Sequence, residues 1–155
     1  MQTSLTSLLN NVAEVQLSYK SNVPVKQRPQ IQNSGDAVQV FRNFWDEDTI
    51  ELQETFMIML MNRASRVIGI YKVSQGGLTG TVVDIRLVFV AALKAAASNI
   101  ILAHNHPSGN LNPSETDKTL TNKLRDAGKL LEIQVLDHII LSTEGFFSFA
   151  DEGIM

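Results

Sequence analysis

Two histidines one residue apart, His104 and His106, lie in the string Leu102-Ala103-His104-Asn105-His106-Pro107-Ser108-Gly109, and Ser114 and Asp117 follow closely. Two imidazole nitrogens and a carboxylate oxygen form a ligand set for a divalent metal. A catalytic zinc ion keeps three such protein ligands and leaves its fourth position to water, whose pKa falls to about 7. An isolated histidine is more often a satisfied core or surface residue. This chain has three histidines, and two of them are i, i+2 neighbours just ahead of an acidic helix start, so ligation is the reading adopted.

The elements that must aim these groups are legible around them. Asn99-Ile100-Ile101-Leu102 reads as a buried strand, which places His104 and His106 at its end with both rings on one face. Asn112 is expected to cap the next helix, with Pro113 in its first position and Glu115 closing a capping box. Ser114 and Asp117 then share a helix face. On spacing alone, Ser114 is equally a first-turn residue bonded only to backbone. Asp137-His138 lies in a later apolar strand. Its two side chains face opposite ways, so at most one faces the site, in a structural or supporting hydrogen bond. Pro107-Ser108-Gly109 is expected to be a turn at the mouth of the site.

Residues 1–11 are expected to be a flexible lead-in and residues 12–155 one domain. Val12 to Tyr19 alternates as a strand would, and Lys20 to Ser34 is an extended connection. Ser34 or Asp36 is expected to cap a helix burying Val38, Val40, Phe41 and Trp45. A carboxylate-rich turn, Asp46 to Glu54, runs into Thr55-Phe56-Met57-Ile58-Met59-Leu60-Met61. With Arg66 to Val73 this forms a core hairpin, its methionines filling the interior. Gly76, Gly77 and Gly80 turn the chain, and Asp84 caps an alanine-rich helix to about Ser98. The helix from Pro113 closes near Gly128 as its C-cap. Ile133 to Leu141 and Phe146 to Phe149 are the last strands. The fold class is α/β (α+β), a central sheet flanked by helices.

Composition narrows the function. One domain fits 155 residues, and 44% hydrophobic with 19% charged residues is a globular balance. A net charge of -3 gives no general nucleic-acid footprint, although it leaves room for a local basic patch. The absence of cysteine excludes disulfides, thiolate zinc sites and thiol nucleophiles, and suits a reducing compartment. It also excludes a zinc deaminase, which needs a Pro-Cys-x-x-Cys partner. No secretory pattern opens the chain and no apolar run spans a bilayer, so a cytoplasmic protein without membrane attachment is expected.

His104-x-His106, seven intervening residues and Ser114-x-x-Asp117 resemble the metal signature of the JAMM (MPN-plus) metalloproteases. The wording His-Asn-His-Pro-Ser-Gly, Pro-Ser-x-x-Asp and Leu-Asp-His-Ile-Ile resembles the RadC-like branch of that superfamily, from about Val12 to the C-terminus. The resemblance implies an MPN/JAB, cytidine-deaminase-like fold with a mixed sheet. It implies one zinc ion on His104, His106 and Asp117, and Ser114 as an oxyanion donor. It also implies that Glu54, just ahead of the first core strand, is the general base; from residue types alone Glu54 is one acid among several in a charged turn. The expected substrate is a peptide, isopeptide or small amide-like molecule. The alternative is a DNA-repair-associated nucleic-acid-binding or nuclease protein, although a nuclease would be expected to show more acidic ligands and a basic grip on phosphate.

Overall fold

A computed structural model describes residues 5–155, so the first four residues of the expected lead-in lie outside the described ones. Thr55–Met61 (β1) is buried along its whole length and pairs antiparallel with Val67–Gln75 (β2) on one side and Asn99–Asn105 (β3) on the other. A strand buried on both faces needs apolar residues at every position instead of alternation, and Phe-Met-Ile-Met-Leu-Met supplies them. β3 runs parallel to Gln134–Leu141 (β4), which pairs antiparallel with Phe146–Ser148 (β5). The sheet order is β2-β1-β3-β4-β5, a mixed five-stranded sheet.

Helices cover both faces. Leu5–Leu8 (α1) is a single exposed turn, while Ser34–Phe44 (α2) buries Ala37, Val38 and Phe41. These and Trp45 pack on Met57, Met59, Met61, Ile101, Ala103, Ile139 and Leu141 of one sheet face. Ile85–Lys94 (α3) and Glu115–Leu130 (α4) cover the other face, where Val88, Phe89, Ala92 and Leu124 meet Phe56, Ile58, Leu60, Ile100 and Leu102. α4 is the connection between the parallel strands β3 and β4, as a parallel pair requires.

Several boundaries differ from the sequence reading. Val12 to Tyr19 forms no strand and its residues are exposed; alternation stabilises a strand only where a neighbour supplies hydrogen bonds and a face to cover. The cap of α2 is Asn33, whose side chain accepts the Asp36 amide, in place of Ser34 or Asp36. Asp84 does cap α3, but the helix stops at Lys94. Ala96 turns to φ 51° there, and the Ala97 amide donates to the Ala92 carbonyl. Helix propensity loses to the need to bury Ala97 and to start β3, whose approach is fixed by the Ser98 amide on the Met61 carbonyl. Gly128 is not a C-cap but lies inside α4, where a Cβ would fall 2.3 Å from the Ile133 carbonyl oxygen.

Candidate metal centre

The start of α4 differs from the expected one in a way that matters for the site. Ser114, not Asn112, is the N-cap. Its hydroxyl accepts the Asp117 amide at 3.0 Å, and the Asp117 carboxylate accepts the Ser114 amide at 2.8 Å. This capping box satisfies two orphan helix donors, and it also clamps the carboxylate that lies against both histidines. Ser114-x-x-Asp117 is both a helix-start signal and a site signal, and the structure uses it as both.

His104 is buried at the end of β3, and His106 stands just beyond it, tied to the sheet by its amide on the Leu141 carbonyl. Asp117 Oδ1 lies 3.3 Å from His104 Nε2 and Oδ2 lies 3.4 Å from His106 Nε2. The two Nε2 atoms are 2.9 Å apart. Ligands bound at about 2.0–2.1 Å around a tetrahedral ion are roughly 3.3–3.4 Å from one another. Two of the three spacings match that figure and the third is slightly shorter, so His104, His106 and Asp117 form a group that fits a metal ion.

The electrostatics agree with a cation-shaped site. His106 is held above its ordinary pKa by its hydrogen bond to Asp117, against the opposing effect of burial. Burial alone would raise Asp117, but hydrogen bonding with His104 and His106 outweighs it and holds the carboxyl far below the usual range. Glu54 is shifted the other way: desolvation raises its pKa despite the neighbouring imidazoles. It lines a cavity of about 330 Å³ together with Phe56, His104, His106, Ser114 and Asp117.

Two residues position Glu54 that sequence reasoning passed over. Asn105, fully buried between the two histidines in sequence, points to the opposite sheet face. Its Oδ1 accepts the Thr55 amide at 2.7 Å, and its Nδ2 donates to the carbonyls of Ile50 and Gln53 at 2.7 and 2.8 Å. The turn that delivers Glu54 is therefore pinned by the middle residue of the His-Asn-His string. Gly76 donates its amide to the Glu54 carbonyl at 2.8 Å, and a Cβ on it would lie 1.8 Å from the Gly80 carbonyl oxygen. The signal for Asn105 was period-2 alternation next to two ligands; for Gly76 sequence offered only a turn.

His138 and Asp137 separate as opposite-facing neighbours. The His138 ring joins His104, while Asp137 accepts from the Ser148 hydroxyl at 2.6 Å and the Ala150 amide at 2.9 Å. A register shift sets this phase. Ile100 pairs with Val135 but Ile101 pairs with Asp137, so Leu136 is an extra residue. One inserted residue reverses the facing of all that follows, and without it His138 would point away from the centre.

The model of the RadC-like JAB domain family matches residues 31–154. The chain belongs to that family. Among relatives, a UPF0758 protein of Porphyromonas gingivalis is 37% identical over 145 residues, covering 93% of this chain and 63% of its own length. One from Flavobacterium johnsoniae is 46% identical over 101 residues, covering 65% of this chain and 44% of its own. One from Geotalea uraniireducens is 42% identical over 117 residues, covering 76% and 51%. The chain thus spans about half the length of the curated relatives it matches. In this RadC-like JAB domain the His-His-Asp group is brought together from the end of β3 and the first turn of α4.

Proposed function

We propose that this RadC-like JAB domain is a zinc-dependent metallohydrolase of JAMM type, cleaving a peptide, isopeptide or related amide bond. The observation that carries the reading is the convergence of His104, His106 and Asp117 at spacings a tetrahedral ion fits, on the wall of a cavity that also exposes Glu54 and Ser114. A zinc ion held by those three residues would act as a Lewis acid and make water nucleophilic near neutral pH.

The chain's own groups supply the rest. Glu54, its pKa raised by desolvation, is the carboxylate that takes a proton from the attacking water and returns it to the leaving amine. Ser114 spends an oxygen lone pair on the Asp117 amide, which leaves its hydroxyl proton to be donated to a developing oxyanion. A single such donor is worth on the order of 3 kcal/mol to the transition state. Thr79, Gly80, Thr81 and Val83 also line the cavity.

The test is elemental analysis of the purified protein together with His104→Ala. Near-stoichiometric zinc in the wild type that is lost in the variant supports the reading; equal metal content in both would remove the ligand assignment. Hydrolysis of peptide and isopeptide panels by the loaded protein then defines the bond. Duplex DNA binding at moderate salt is expected to be negligible at a net charge of -3; tight, salt-sensitive binding would favour the nucleic-acid alternative.

A further inference from the structure

A histidine binds a metal through a nitrogen lone pair, so its other nitrogen must carry the proton and needs an acceptor. For His106 that acceptor is a carbonyl: Nδ1 lies 2.5 Å from the Asn110 carbonyl oxygen, which can only accept. Its Nε2 lone pair is therefore turned to the centre. His104 has no carbonyl in that role. Its Nδ1 lies 2.8 Å from Nε2 of His138, another imidazole, and a bond between two imidazoles has no direction until something outside it imposes one.

The far end of His138 imposes it. His138 Nδ1 lies 2.6 Å from the Thr121 hydroxyl, and that hydroxyl donates to the Asp117 carbonyl at 2.7 Å. A hydroxyl has one proton; with that proton committed to the carbonyl, the ring must donate to the oxygen. His138 is fully buried, stacked on Phe149 with centroids 4.7 Å apart and edge-on to Phe56 at 5.6 Å. Neither of its nitrogens bonds a carboxylate, and the buried ring has no counter-charge beside it to hold a second proton. A neutral ring that donates from Nδ1 has only a lone pair at Nε2, so His104 must donate to it.

We propose that His138 is a positioning residue of the metal centre, fixing His104 in the tautomer that carries its proton on Nδ1 and leaves the Nε2 lone pair for an ion shared with Asp117 and His106. The chain of bonds starts and ends on one residue: the Asp117 carbonyl anchors Thr121, and the Asp117 carboxylate faces the nitrogen the relay leaves free. A residue that merely filled core space could be any apolar side chain, but one would leave His104 Nδ1 buried without an acceptor. Among the described residues no buried side-chain nitrogen or oxygen lacks a partner. The inference rests on the metal reading above.

Two measurements on the full chain test it. Long-range proton–nitrogen NMR of histidine-labelled, metal-free protein at alkaline pH is expected to show His104 protonated on Nδ1. Zinc affinity, by competition with a chromophoric chelator, is expected to fall about 10–100-fold in His138→Leu. It is expected to recover largely in His138→Gln, whose amide oxygen can accept from His104 while its NH2 donates to Thr121. Nδ1 protonation with that order of affinities supports the proposal. His104 protonated on Nε2, or a folded His138→Leu that binds zinc as tightly as wild type, overturns it while leaving the metal centre standing. A wild type that takes up no zinc overturns both. If His138→Leu does not fold, Thr121→Val replaces it: the variant keeps the ring but removes its acceptor, and unchanged affinity counts against the relay.

Discussion

On the proposed reading, the chemistry at the residue scale is set by Glu54 and by two imidazoles that could hold a metal ion with Asp117. Glu54→Gln keeps the shape and the three ligands but removes the proton acceptor, so zinc content is expected to stay at the wild-type level while turnover falls by about 10²–10⁴. Elemental analysis and hydrolysis on the same sample check both halves, and turnover that survives would take Glu54 out of the mechanism. The pH dependence of metal binding has a definite sign. His106 is raised above its ordinary pKa by Asp117, so its proton competes with zinc from a higher pH than a free imidazole would. Asp117 is held far below the usual carboxylate range and stays ionised throughout. Zinc affinity is therefore expected to weaken steadily as pH falls through the His106 pKa, with protons released on binding. Chelator competition across that window measures it.

At the scale of elements, the ends of strands and helices do the positioning. Asn105 ties the end of β3 to the turn before β1 through three hydrogen bonds. Asn105→Ala leaves those buried backbone groups unpaired, at about 1–3 kcal/mol for each that water cannot reach. Chemical denaturation is expected to register the loss, and turnover is expected to fall further than zinc affinity, because Glu54 is released and the ligands are not. Gly128 lets α4 pass close to the strand that follows it. Gly128→Ala brings a methyl against the Ile133 carbonyl and is expected to destabilise by about 1–3 kcal/mol, despite the better helix propensity of alanine. A more stable variant would show that α4 can move aside.

Across the whole molecule, the centre joins β3 to the start of α4 and, through Thr121 and His138, to β4. An ion bound there binds only the folded chain, so zinc at about 100 times its Kd adds roughly 2.7 kcal/mol of stability. The Tm of wild type is expected to rise with zinc and fall with a chelator, whereas that of His104→Ala responds to neither. The described helices include none long and apolar enough to cross a membrane. Leu17 and Tyr19 line one surface cavity with Val90 and Leu93 of α3 without joining the sheet.

The sequence by itself determined a central sheet flanked by helices, the core strands and the chemical types gathered around the end of β3. These follow from local rules: apolar runs, capping residues and side-chain periodicity act over a few residues, so they survive in a linear reading. Only the tertiary structure decided which alternating segment finds a partner, as with Val12 to Tyr19, which has none in the sheet. It decided that Ser114 caps α4, that Gly128 serves a close approach, and that Asn105 reaches back fifty residues to hold Glu54 in place. It decided, through the extra residue Leu136, that His138 meets His104. Each of these depends on register or on contacts between distant parts of the chain, and neither is a property of any short stretch of residues.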